Sequence, residues 1–153
     1  DSKARGIIWG LSLHHGPEHL YRAIQEGICY GNAHNLKAME AAGLEVTEVV
    51  AAGGMTKSRD LIQMHADVMN KPITLTEVGD AVALGSAMIA AVGAGVYTDL
   101  IDAAKNMVHE IDTMEPNQEV HEQYQFYVDK YISAFAQMAD LIHDVVDHEA
   151  DRA

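Results

Sequence analysis

The sequence predicts an α/β fold built on a small sheet, and three observations carry that expectation. Short apolar runs of strand length alternate with segments whose apolar residues keep helical spacing. One run, VVAA at 49–52, goes straight into Gly53 and Gly54 before a helical pattern resumes. The resulting order is strand, helix, strand, helix, strand, helix, helix, helix, a thin sheet for so much helix.

Each element has its own reason. GIIWGLSL (6–13) reads as a short strand or an extended entry. A helix follows, because Pro17 and Glu18 suit a first turn and Leu20, Ile24, Ile28 and Leu36 keep near-helical spacing, with Gly43 closing it. Gly27 and Gly31 lie four apart on one face of that helix. Each costs about 1 kcal/mol against alanine, so the pair points to another backbone lying close. EVTEVVAA (45–52) reads as a strand buried at its end. Ser58 is a natural N-cap, and Leu61, Ile62, Met64, His65, Val68 and Met69 continue a helix to about Asn70. KPITLTE (71–77) is a third strand, with Pro72 at its start.

Gly79 and Asp80 open an Ala-rich helix that ends at Gly93 or Gly95. Its stretch from Ala81 to Tyr97 is uncharged but falls short of the roughly 20 residues of a bilayer span, so it reads as a buried helix. Small residues at 83, 87 and 91 and at 86, 90 and 94 suit core packing or a helix at a domain hinge. Leu100 to Ile111 reads as a further helix, broken by Pro116. In the last segment Tyr124, Val128, Tyr131, Phe135, Met138, Ile142 and Val145 step by four and three along one long amphipathic helix. That seam suits docking on its own domain or on another chain.

The totals narrow the function. A chain of 153 residues, 48% apolar and 22% charged, reads as one globular domain, 1–153. A formal charge of −13 argues against a nucleic-acid backbone or an anionic membrane as partner. A nucleotide stays open, because main-chain N–H groups and a metal ion hold phosphates without a basic surface. Cys29 is the single cysteine, which excludes an intrachain disulfide framework and a Cys-based zinc site and implies a reducing, cytoplasmic location. DSKARGIIWG carries no signal-peptide apolar region of the usual length.

The junction at Gly53–Gly54 is the main candidate site. Glycine lets main chain approach a ligand with no Cβ in the way, and a following helix adds free N–H groups. A P-loop is excluded, because Thr56 stands where its second glycine is required. A dinucleotide fingerprint is excluded at 53–58 by spacing, and at Gly93-Ala94-Gly95 because a helix precedes it. A tight turn with no ligand accounts for the local sequence equally well. The nine histidines form no H-E-x-x-H, and His15 and His19 are separated by Gly16-Pro17. Cys29 sits mid-helix among apolar residues and reads as inert, and Ser12 and Ser58 have no His/Asp constellation.

Taken together, the pieces resemble the FGGY family of carbohydrate kinases. ARGIIWGLSLHHGPEHLYRAIQEGI resembles the family's C-terminal signature through Gly6, Ile8, Gly10-Leu11, His19-Leu20, Arg22-Ala23, Glu26 and Gly27. Gln25 departs from it, where an apolar residue is usual. VVAAGGMTKSRDLIQMHADVMNKPI resembles the adenosine motif, with a G-G-x-x-x-S/N turn and a Q-x-x-A-D helix. EVGDAVALGSAMIAAVGAGVY resembles the second connecting helix, and the likeness runs from about Ala4 to Tyr131.

The resemblance implies a ribonuclease-H-like, actin-type ATPase domain, the C-terminal half of a two-domain kinase, N-terminally truncated and with a long C-terminal helix. It implies transfer of the ATP γ-phosphate, with Mg²⁺, to a hydroxyl of a sugar or polyol, of pentulose type. Gly53 and Gly54 would lie against the α-phosphate and ribose, and Met55 and Ser58 would border the adenine. The catalytic base, the sugar contacts and the first phosphate loop would belong to the missing N-terminal part, and the Mg²⁺ ligands are not identifiable in this chain. Asp67, Glu77 and Asp80 are therefore not assigned as the base, and the chain alone is expected to be inactive. A non-catalytic interaction module on the same fold is the alternative. An exposed half-sheet leaves a homodimer open.

Overall fold

A computed structural model describes residues 1–150 and 152. Its elements are α1 (Pro17–Ala41), β1 (Val49–Ala51), a 3₁₀ turn (Gly54–Lys57), α2 (Arg59–Met69), β2 (Ile73–Thr76), α3 (Ala81–Gly93), α4 (Leu100–Met107), β3 (Glu110–Met114) and α5 (Gln118–Ala150). Among the described residues no helix is long and apolar enough to cross a membrane.

The sheet has the order β1-β2-β3. β1 and β2 run parallel, with Val49 opposite Ile73 and Ala51 opposite Leu75. β3 is antiparallel to β2, pairing Ile73 with Met114 and Leu75 with Asp112, and the register shifts between Leu75 and Thr76. Ile73, Thr74 and Leu75 are all buried, as a central strand requires.

α2 is the hub of the packing. Successive helical residues turn by about 100°, so its eleven residues divide into three sectors. Ile62 and Ala66 face the sheet and pack with Ala51, Ile73 and Leu75. Met64 and Val68 face the helical layer and pack with Cys29, Tyr30 and Ala33 of α1 and Val128 of α5. The third sector, Arg59, Gln63 and Asp67, is polar and is stitched to β3 and to the chain that leads from it into α5. Arg59 pairs with Asp112. Gln63 donates through Nε2 to the Glu115 carbonyl at 2.9 Å and to Asp67 at 2.8 Å. The buried Asp67 carboxylate accepts the Asn117 N–H at 2.8 Å, and Asn117 Oδ1 in turn accepts from Glu119 and Val120 at the start of α5.

The helix ends follow local chemistry. Ser58, Asp80 and Asp99 each accept an N–H from the first turn of the helix they precede. Asn70 ends α2 in the left-handed conformation, and Gly43, with φ of +88°, turns the chain after α1.

Between α1 and α2 the fully buried His65 is held at both ring nitrogens. Nδ1 donates to the Leu61 carbonyl at 2.8 Å, and Nε2 accepts from Asn32 at 3.1 Å. Cys29 Sγ lies 3.3 Å from the same Nδ1. Burial, helped by the Glu26 charge, pushes the Cys29 thiol from 9.0 up to about 12.

Four sequence expectations are corrected. Residues 6–13 form no strand: Gly10 has φ of +81°, and no neighbour supplies a ladder. Instead the N-terminal segment is tied to α5 by Lys3–Asp147 and Asp1–His143. The third strand of the sheet is β3, which takes 110–111 from the expected helix because the open edge of β2 needs hydrogen-bond partners. Ala81–Tyr97 is not a buried helix, since α3 has no buried residue and packs mainly on α4. Gly31 is approached by the Tyr131 hydroxyl rather than by a backbone, and a Cβ at Gly27 would meet open space.

Much apolar surface stays uncovered. The accessible area is 10407 Å², where a compact monomer of 16.6 kDa exposes about 7,600 Å². Trp9 (65%) and Val82 (82%) are among the exposed side chains. The long C-terminal helix is half docked: Val128 is fully buried, whereas Phe135, Met138 and Val145 are exposed.

Asp67→Ala leaves the Asn117 N–H and the Gln63 amide without their acceptor, and urea unfolding is expected to show a loss of about 1–3 kcal/mol. Asp67→Asn, which keeps one acceptor oxygen, is expected to lose less. For Cys29 the folded thiol is the weaker acid. Its stabilising contribution is therefore complete below the ordinary value of 9.0 and is lost as pH climbs toward about 12. A thiol reagent at pH 8 is expected to leave the folded chain unmodified and to label it once urea unfolds it.

Candidate nucleotide site

The site is built where the two parallel strands end. β1 stops at Ala51, and the chain leaves through Gly53 with φ of +84° and ψ of −162°, a conformation that side chains rarely adopt. The loop after β2 reaches the same place, and Gly53 N–H donates to the Gly79 carbonyl at 2.7 Å. Ligands of open α/β sheets bind beyond the carboxyl ends of the strands, where such loops meet.

The turn is bare. A Cβ placed on Gly53 or Gly54 would meet nothing within 4 Å, and both residues are exposed. The Gly53 carbonyl is held from below by the Thr56 N–H at 3.2 Å and the Thr56 hydroxyl at 2.8 Å. Ser58 is exposed beyond the 3₁₀ turn, and its Oγ accepts the Leu61 N–H at 3.3 Å, leaving its hydroxyl proton free to donate outward.

Of the four residues singled out from the sequence, Gly53, Gly54 and Ser58 thus stand on one exposed turn. Met55 is turned differently, half-buried against the cluster of Ala51, Ile62 and Ile73. Two participants escaped the sequence reading. Gly79 was visible only as the opening of a helix, and Thr56 occupies a variable position of the turn with no local signal.

Other candidates are accounted for structurally. Arg22 and Glu26 of the signature pair with each other at 2.7 Å, and Arg22 reaches the Tyr124 hydroxyl of α5 at 2.7 Å. Asp67 braces α5, and Asp80 caps α3 through the Ala83 N–H at 3.0 Å. A concavity of about 470 Å³ opens among Glu40, Gly43–Thr47 and Lys71, at the amino ends of β1 and β2, the wrong end for this kind of site.

The turn at Gly53–Gly54 leaves open space against bare main chain. Among the described residues no three or more His, Cys, Asp or Glu side chains gather as a metal cluster.

Comparison with known proteins shows the family and the fold. The family described as "FGGY family of carbohydrate kinases, C-terminal domain" matches residues 1–94. A xylulose kinase of Staphylococcus epidermidis is 30% identical over 146 residues, covering 95% of this chain and 29% of that protein. A ribulokinase of Anoxybacillus flavithermus is 38% identical over 138 residues, covering 83% of this chain and 24% of that protein. The crystal structure of a xyloylose kinase from Brucella ovis superposes with a TM-score of 0.80 at 28% identity, covering 92% of this chain and 29% of that one. The xylulose kinase structure from Rhodospirillum rubrum gives 0.76 at 27% identity, covering 92% and 28%. The chain therefore spans 24–29% of the length of these relatives.

The two glycines are expected to differ on substitution. Gly53→Ala forces a side chain into the φ of +84° and should cost about 1–3 kcal/mol in thermal or urea unfolding. Gly54→Ala meets no strain and open space, so its stability should stay within about 0.5 kcal/mol of the parent.

Proposed function

The chain belongs to the FGGY family of carbohydrate kinases, and on that premise we propose that it forms the ATP-binding part of a sugar kinase. The enzyme would transfer the γ-phosphate of ATP, with Mg²⁺, to a hydroxyl of a sugar or polyol. A pentulose is favoured because the relatives are named xylulose kinase and ribulokinase. The observation that carries the reading is the bare Gly53–Gly54 turn, set at the carboxyl ends of β1 and β2.

In this reading Gly53 and Gly54 lie against the α-phosphate and ribose. Ser58 offers its hydroxyl at the edge of the adenine, and Met55 contributes the exposed part of a side chain otherwise seated on the core. Phosphoryl transfer asks little covalent chemistry of the protein; positioning and charge stabilisation supply the rate. The base, the sugar contacts and the Mg²⁺ ligands are assigned to an N-terminal portion of the polypeptide. That assignment is supported by the relatives' greater length and by the uncovered apolar surface. The exposed outer seam of α5 favours, as a second reading, a module that docks on another protein or on a second copy.

Titration of ¹⁵N-labelled chain with MgADP is expected to move the amides of Gly53, Gly54, Met55 and Ser58 with weak affinity, and Gly54→Ala should abolish the response. Movement confined to the 43–47 concavity would reject the site. The 153-residue chain is expected not to phosphorylate xylulose or ribulose, and turnover by the purified chain would refute the division of labour.

A further inference from the structure

We propose that Thr56 is a positioning residue that aims the Gly54 N–H at the bound nucleotide, an inference that rests on the nucleotide reading above. The argument starts from one peptide plane. The Gly53 carbonyl and the Gly54 N–H belong to the same peptide, which is trans, so the two groups point in opposite directions. The carbonyl is drawn inward by two donors of Thr56, the hydroxyl at 2.8 Å and the N–H at 3.2 Å. The Gly54 N–H must then face away from Thr56, and among the described residues it finds no acceptor.

The other end of the turn is fixed independently, by the Gly53 N–H on the Gly79 carbonyl at 2.7 Å. Thr56 is partly buried between the two loops, with its Oγ1 3.5 Å from the place a Cβ would take on Gly79. The side chain thus sets the rotation of a peptide that glycine would otherwise leave free. An orientation prepared before binding spares the ligand the cost of ordering the turn. Thr56 touches no reacting atom; it acts through Gly54.

The test compares the parent chain with Thr56→Val, which keeps the shape, Thr56→Ala, and Thr56→Ser, which restores the hydroxyl. MgADP is the probe, and the readouts are the Gly54 amide and the Gly53 carbonyl carbon resonances. Loss of the hydroxyl is expected to shift the Gly53 carbonyl before any ligand is added and to weaken MgADP about 2- to 10-fold in the Val and Ala variants. Thr56→Ser is expected to bind as the parent does. If MgADP moves Gly54 equally and with equal affinity in all four proteins, the role of Thr56 is overturned and the nucleotide site stands. If MgADP leaves Gly54 unmoved in the parent, the nucleotide reading falls and this inference with it.

Discussion

The enclosure of α2 is the constraint on which the rest of the structure depends. Ile62 and Ala66 bury themselves on the sheet, and Met64 and Val68 on α1 and α5. Arg59, Gln63 and Asp67 close the third side against β3 and the strap that leads from it into α5. A helix buried on two sides has no freedom to roll, because any rotation would bring polar residues into an apolar layer. The polar third side then sets its register along the axis, since each stitch is a hydrogen bond or ion pair of defined reach.

A helix so held delivers its first turn to a fixed place, and this fixes the position of the glycine turn that precedes it. β1 and α2 are separated by only seven residues, 52 to 58, and both ends of that connection are anchored. Gly53 takes the strained conformation that the reversal needs, while Gly54 leaves the approach open. Gly79 and Thr56 hold the turn from the neighbouring loop and from below. The bare main chain is therefore backed by a rigid scaffold, the arrangement expected where a ligand is bound by backbone groups.

The same scaffold explains the uneven burial. Everything wrapped around α2 is packed, and what lies beyond is not. α3 and α4 pack chiefly on each other, the 6–13 segment runs open, and the outer half of α5 carries an exposed seam. The small-residue faces of α3 would let a neighbour approach closely, and the excess accessible surface is of the kind that another body covers.

The sequence by itself determined what local chemistry decides. Ser58 and Asp80 as caps, Gly43 after α1, the glycine turn and the core face of α2 were legible, because each depends on residues within a turn or two, whereas the α1 face read from Ile24 and Ile28 is exposed and the helix buries Cys29, Tyr30 and Ala33 instead. The family likeness was legible for the same reason, since its motifs are short and contiguous. Only the tertiary structure decided whether 6–13 or 110–114 would pair with β2, because the apolar spacing from Leu100 to Ile111 is helical and a strand exists only where a distant edge completes its hydrogen bonds. It also decided that Asp67 braces α5, that Met55 faces the core and that Thr56 holds Gly53, contacts fixed by the crossing of elements distant in the chain or by the exact curl of a turn.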